Sequence, residues 1–148
     1  MPQSLAKVYI HLIFSTKNRE RTIQNTIRPR LHEYMGGILN HHGCIPIEIN
    51  SEPDHVHALF LMTRTESLSE IIGQLKKSSN DWLKSAGREY ADFYWQGGYA
   101  AFSVSKSQVD EVRRYIQNQQ EHHRVKSFQE ELRAFFKAYE MEYDERYV

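Results

Sequence analysis

The order of periodic segments in this chain predicts an α+β fold: a four-stranded antiparallel sheet of the ferredoxin-like, split βαβ pattern, with further helices at the C-terminal end. Three observations carry this. Hydrophobic period two and period 3.6 alternate as strand, helix, strand, strand, helix, strand, then helices. The turn residues Ser51-Glu52-Pro53-Asp54 join the second and third strands as an antiparallel hairpin. The 148 residues suit one domain with a real core, and 40% hydrophobic and 26% charged content is ordinary globular composition.

Lys7 to Thr16 reads as the first strand, with Val8, Ile10, Leu12 and Phe14 on one face and Tyr9, His11 and Ile13 on the other. The connection Lys17-Asn18-Arg19-Glu20-Arg21 is polar and basic. Ile27, Leu31, Tyr34, Met35, Ile38 and Leu39 then recur at spacings of three and four, which predicts a helix. Pro29 fits only its first turn, and Gly43 is a C-terminal stop. Gly36-Gly37 points to close backbone packing against the sheet. Ile45, Ile47 and Ile49 alternate with Pro46, Glu48 and Asn50 in the second strand, Pro46 lying near its start or on an edge.

The third strand begins at His55 and runs through Ala58-Leu59-Phe60-Leu61-Met62. Ser67 and Glu70 have capping-box spacing. Leu68, Ile71, Ile72, Leu75, Trp82 and Leu83 make the stripe of a second helix that Gly87 ends, with Ser79 in its gap. Phe93 to Tyr99 is aromatic and glycine-rich, and its rings divide between core and a surface able to stack bases. Ala100 to Ser105 is the fourth strand, and Val109 to about Glu121 the third helix. A fourth helix opens on the Ser127/Glu130 capping box, with Phe128, Leu132, Phe135, Phe136 and Tyr139 as its stripe. Met141 to Tyr147 is a tail that forms an added strand or a docked extension. Both crossover helices should cover one sheet face. The other face is left for the C-terminal helices or a partner.

Lys plus Arg equals Asp plus Glu at 19 each, so any nucleic-acid binding must come from local patches. Cys44 is the only cysteine, which excludes an internal disulfide and a cysteine zinc cluster and fits a reducing cytoplasm. The apolar run Val8 to Phe14 is too short for a membrane span and lacks a cleavage site, so neither a membrane anchor nor a signal peptide is expected.

Residues with chemistry gather in two places. His55 and His57 project from the same face of a strand and can share a cation. On the third helix, Val109, Val112 and Ile116 form the buried stripe, and Tyr115 and Gln119 lie one turn apart at its border. A phenol can attack a phosphodiester, but with a pKa of about 10 it needs help at pH 7. A cation held by His55, His57 and Gln119 would supply it and leave positions open for phosphate oxygens. Donor softness alone leans towards a transition metal.

His55-Val56-His57 resembles the HUH motif, and Tyr115 with Gln119 resembles the nucleophile helix of the single-tyrosine HUH transposases of bacterial insertion sequences. The surroundings are similar too, including Trp95-Gln96-Gly97-Gly98-Tyr99, Tyr115-Ile116-Gln117-Asn118-Gln119, Glu121-His122-His123, Phe128-Gln129-Glu130-Glu131 and Tyr143-Asp144-Glu145-Arg146-Tyr147. The resemblance implies a single-stranded DNA substrate with hairpins near the element's ends. It implies attack by Tyr115 to leave a 5′-phosphotyrosine and a free 3′-hydroxyl, with Mg²⁺ or Mn²⁺ as the metal. It also implies a homodimer in which the tyrosine helix of one subunit serves the histidine pair of the other.

Arg113, Arg114, Arg124 and Lys126 form the densest basic patch near Tyr115 and are candidate phosphate contacts. Lys76 and Lys77 on the second helix are weaker ones, solvated charge being the competing explanation. Tyr9 and His11 should share the active face. His122 and His123 point to different faces, so at most one approaches the metal, and neither is assigned as a ligand. Three other readings fit the same residues: a non-catalytic nucleic-acid-binding domain, a metal-dependent hydrolase with water as nucleophile, and a domesticated endonuclease that cleaves genomic repeats.

Overall fold

In the computed structural model, which describes residues 3–148, the sheet strands run in the order β2-β3-β1-β4, every neighbouring pair antiparallel. The elements are β1 (Tyr9–Ser15), α1 (Arg28–His41), β2 (Ile45–Glu52), β3 (His55–Leu61), α2 (Leu68–Ala86), β4 (Ala100–Val104), α3 (Val109–Gln117), α4 (Gln119–His122) and α5 (Phe128–Ala138). This is the expected split βαβ pattern with added C-terminal helices. Among the described residues no helix is long and apolar enough to cross a membrane.

Strand alternation sorts the core into two sides. Ile10, Leu12, Phe14, Val56, Ala58 and Phe60 pack under α1 and α2, against Leu31, Met35, Leu39, Ile71, Ile72 and Leu75. The opposite side carries Tyr9, Leu59 and Val104, packed against Val109 and Ile116 of α3. Ile13, Ala100 and Phe102 on that same side meet Phe128 and Leu132 of α5. The histidine-bearing face is therefore covered by the chain's own C-terminal helices.

Local chemistry sets the helix ends. The Ser67 hydroxyl accepts the Glu70 amide at 3.2 Å, and Ser127 accepts that of Glu130 at 3.1 Å. Gly43 turns the chain out of α1 at φ +82°, a left-handed conformation that suits glycine. Ser79 fills the gap in the α2 stripe by donating to Leu75 O at 2.6 Å while accepting the Trp95 indole N–H at 3.0 Å.

Several expectations need correction. β1 starts at Tyr9, and Val8 is exposed rather than on its inner face. The alternation of β2 breaks at Ile47, the extra residue of a bulge between Pro46 and Glu48. Pro46 has no amide hydrogen to give the ladder, so the register slips there. Ile47 then packs with the α3 cluster while Ile49 packs with the α1/α2 core. A Cβ on Gly36 would meet Ile49 and Pro46 at an ordinary 3.9 Å and one on Gly37 would meet nothing within 4 Å, so close backbone approach is not why they are glycines. The third helix does not run unbroken to Glu121: it stops at Gln117, Asn118 leaves helical geometry (φ −96°, ψ 21°), and a short α4 resumes. The tail, residues 141–147, forms no strand. It docks, with Tyr143 against the Phe136 ring at 4.6 Å and Glu145 accepting from Arg133 at 2.8 Å.

Candidate active site

The register sets His55 and His57 on one face, with His55 opposite Ser15 and Glu52 and His57 opposite Ile13 and Asn50. Both rings are buried, at 1% and 0% exposure. α5 crosses above them. Phe128 stacks on the His55 ring with centroids 4.2 Å apart. One helical turn later, Glu131 points its carboxylate between the histidines. Its Oε1 lies 2.9 Å from His57 Nε2, 3.3 Å from His123 Nε2 and 3.7 Å from His55 Nε2. The four side chains offer donor atoms that all lie within 4.8 Å of one another, a grouping fit to hold a metal ion.

The far side of each imidazole is also engaged. His55 Nδ1–H donates to Asp54 Oδ1 at 2.7 Å, and His123 Nδ1–H donates to the Lys126 carbonyl at 2.8 Å. His57 Nδ1 shares a 2.8 Å hydrogen bond with His11 Nε2. Partners on Nδ1 fix tautomer and ring orientation and leave Nε2 facing the centre.

Tyr115 reaches this centre from α3. Its hydroxyl donates a short hydrogen bond to Glu131 Oε2, and its ring lies 6.1 Å from that of His57 and stacks on His122 at 4.4 Å. Gln119 is fully buried one turn on, donating to Glu131 Oε2 at 3.2 Å and accepting from His123 Nε2 at 2.9 Å. The end of α3 is clamped by Asn50 of β2, which donates to Ile116 O at 2.7 Å. A polar cleft lined by Arg21, Glu52, Asn118, Glu121, His123 and Arg124 opens beside the centre.

Electrostatics follow from the crowding. Burial alone would raise Glu131, but hydrogen bonds from His123 and His57, the charge of His57 and the Tyr115 hydroxyl together hold it far below the ordinary carboxylate range. Burial first, then the charge of Glu131 and the hydrogen bond to it, push the Tyr115 phenol well up. His11 is driven down to about 3 by burial and by His57, so it is neutral and able to accept from His57. Burial works against charge on His123 too, yet Glu131 overcomes it and the net shift is upward.

A family model described as "Transposase IS200 like" matches residues 4–119, well over half of the chain. The chain belongs to the IS200-like transposase family. It is 25% identical over 114 residues to the ISDra2 transposase TnpA of Deinococcus radiodurans, an alignment covering 74% of this chain and 81% of that protein. Among solved structures it is similar to a crystal structure from Deinococcus radiodurans assigned as a transposase, with TM-score 0.63, 24% identity, and 80% of this chain and 98% of that one covered. It is also similar to a REP-associated tyrosine transposase bound to a REP hairpin, with TM-score 0.61, 13% identity, and 83% and 73% covered. At these identities the two structures speak to the fold alone.

Against that background, the IS200-like transposase brings Tyr115, His55, His57 and Gln119 together and adds two residues, His123 and Glu131. His11 does share the active face and touches His57, whereas Tyr9, two residues earlier on that face, is packed in the Leu59 cluster. His123, left unassigned from sequence, is the one of the His122/His123 pair whose ring joins the group able to hold a metal ion. Glu131 was missed altogether. Its signal was present: it falls three residues after Phe128 and four before Phe135, inside the apolar stripe of α5.

The basic candidates lie outside the centre. Arg113, Arg114, Arg124 and Lys126 are exposed, Arg113 paired with Glu48 at 3.1 Å and Arg124 with Glu121 at 2.6 Å. Lys76 and Lys77 lie on α2, across the sheet. Lys76 is half-buried, donating to the carbonyls of Gln96 and Gly98 at 2.6 and 2.7 Å, and burial lowers its pKa. It pins the glycine turn that precedes β4.

Proposed function

We propose that this IS200-like transposase cleaves and rejoins single-stranded DNA at insertion-sequence ends through a covalent 5′-phosphotyrosine on Tyr115. The observation that carries this reading is the meeting of the Tyr115 hydroxyl with a buried group of imidazoles and one carboxylate. His55, His57 and Gln119 would hold a divalent cation, Mg²⁺ or Mn²⁺, and two imidazole nitrogens with an amide oxygen beside a carboxylate fit such an ion. When bound, the cation supplies positive charge that offsets Glu131, favours the phenolate and polarises the phosphate. Tyr115 Oη bonds to phosphorus as the P–O3′ bond breaks. Glu131 accepts the phenol O–H and so orients Oη, and the phenol proton is released to solvent water. The leaving oxygen takes up a proton from water and ends as the free 3′-hydroxyl. Rejoining reverses the step, with attack by a 3′-hydroxyl on the phosphotyrosine, so bond energy is kept and no ATP is needed.

Arg21 and Arg124 on the rim of the polar cleft give the strand a route to His123. Arg113, Arg114 and Lys126 are further phosphate contacts, with Lys76 and Lys77 as weaker ones. A balance of 19 basic and 19 acidic residues suits a single strand or hairpin better than a duplex coat. A relative of the same fold bound to a REP hairpin supports a DNA hairpin as partner.

The assembly belongs to the same proposal: a homodimer in which the tyrosine helix of each subunit serves the histidine pair of its partner. Within one chain Tyr115 stands over its own histidines. A domain-swapped dimer would remake the same contacts between chains, with residues 105–108 as the hinge. Tyr115→Phe and His57→Ala homodimers should each be inactive, and mixed dimers should regain one working site. Adducts confined to subunits with an intact histidine pair would place the site in cis instead.

The reading is tested with oligonucleotides from the element's ends, offered as single strands and as duplexes with Mg²⁺ or Mn²⁺. Only the single strand should be cut, and His57→Ala should fold but leave it whole. Full cleavage by His57→Ala under the same metal conditions, or equal cleavage of the duplex, contradicts the reading.

A further inference from the structure

We propose that Glu131 and His123 are themselves metal ligands, joining His55 and His57 in one buried centre that takes a transition-metal ion in preference to Mg²⁺. The inference rests on the metal site of the preceding reading and extends its ligand set from two strand histidines and one amide to side chains on two further segments.

The geometry is that of a ligand set. Three Nε2 atoms face one carboxylate oxygen, at 2.9, 3.3 and 3.7 Å. Bonds of about 2.0–2.2 Å around one ion put neighbouring donors about 2.9–3.5 Å apart. All three rings have a partner at Nδ1, so none needs Nε2 to satisfy its far side: Asp54 for His55, His11 for His57 and the Lys126 carbonyl for His123. Such outer partners are the usual companions of metal-bound histidine. Glu131 draws His57, His123, Gln119 and Tyr115 to its two oxygens, which gathers the donor atoms of this group around one carboxylate.

Selectivity follows from the donor atoms. Mg²⁺ prefers a shell of oxygens, largely water, at near-ideal octahedral positions. Three imidazole nitrogens with one carboxylate suit Mn²⁺, Co²⁺ or Zn²⁺ better. Gln119 Oε1 lies 3.4 Å from His55 Nε2 and 2.9 Å from His123 Nε2, near enough to be a fifth donor. Six-coordination would then leave one position for a phosphate oxygen.

The test uses metal-free full-length protein without DNA. Co²⁺ is titrated by calorimetry and by its visible absorption, and Mg²⁺ by calorimetry alone. One Co²⁺ per chain should bind, roughly 100-fold more tightly than Mg²⁺. Glu131→Gln and His123→Ala should each weaken Co²⁺ about tenfold or more and change the absorption, while His32→Gln leaves both alone. Thermal melts identify any variant that fails to fold. As an independent measure on the unmutated protein, the Co²⁺ form should give three shifted imidazole N–H proton signals, from His55, His57 and His123. Losses under twofold in both variants, or two shifted signals, overturn the inference while leaving the His55/His57 reading intact if His57→Ala still abolishes binding. No saturable metal binding by the unmutated protein overturns both.

Discussion

Asn50 is the place where sheet register reaches Tyr115. It sits opposite His57, and its amide donates to Ile116 O at 2.7 Å, beside Tyr115 and just before the break at Asn118. The last carbonyls of a helix lack partners within it, so a donor from the sheet is what ties this end down. Asn50→Ala removes that donor. A hydrogen bond of this kind contributes about 1 kcal/mol net, and leaving a buried carbonyl unpaired costs about 1–3 kcal/mol. Asn50, Gln117 and Gln120 line an open polar pocket, so water can reach the vacated position and the lower end applies. A loss of about 1–1.5 kcal/mol lowers the melting temperature by about 2–6 °C for a domain of this size. The chemical effect should be larger, because displacing a reacting group by about 1 Å can cost about 100-fold. Adduct formation measured 20 °C below the melt, where the variant is folded, should slow about tenfold or more. An unchanged melting temperature refutes the clamp. A lowered melt with an adduct rate within twofold of the parent refutes its role in positioning Tyr115.

Leu59 is fully buried between β3 and α3, against Tyr9, Val104, Val109 and Ile116, so Leu59→Ala should cost about 2–5 kcal/mol in urea denaturation; a loss below about 1 kcal/mol would mean that α3 does not cover this face. His32, away from the centre and accepting or donating to Ser51 Oγ at 2.7 Å, is held down to about 4 by burial and by Arg28. The unfolded chain therefore takes up its proton first, near pH 6.5. The contribution is complete above that pH and lost as pH falls towards 4, by at most about 1.4 kcal/mol per pH unit. His32→Gln should flatten the stability profile in that window, and an unchanged slope would refute the assignment.

Much of this was legible because sheet chemistry is periodic. The period of two put His55 and His57 on one face, and the hairpin turn and the two crossover helices fixed the rest of the sheet. The departures have local causes. Nothing in Gln117-Asn118-Gln119-Gln120 announces a helix end by glycine or proline, and only tertiary contacts such as the Asn50 clamp reveal it. The bulge at Ile47 was foreshadowed by Pro46, a residue that strands tolerate at edges and bulges. Glu131 was hidden by its neighbours: in Gln129-Glu130-Glu131 an acid near a helix start reads as a dipole partner. His123 lay one turn beyond Gln119, the same spacing that marked Gln119 from Tyr115, but the pair His122-His123 divided the signal.

The most direct test of the central claim is the site of covalent attachment. The protein is incubated with a single-stranded element end and Mn²⁺, digested, and the peptide carrying the nucleotide is sequenced by mass spectrometry. The account predicts one 5′-phosphate linkage on Tyr115 and none in Tyr115→Phe, which should still bind the strand. Attachment at Tyr99 or Tyr139, or cleavage without any adduct, would contradict it.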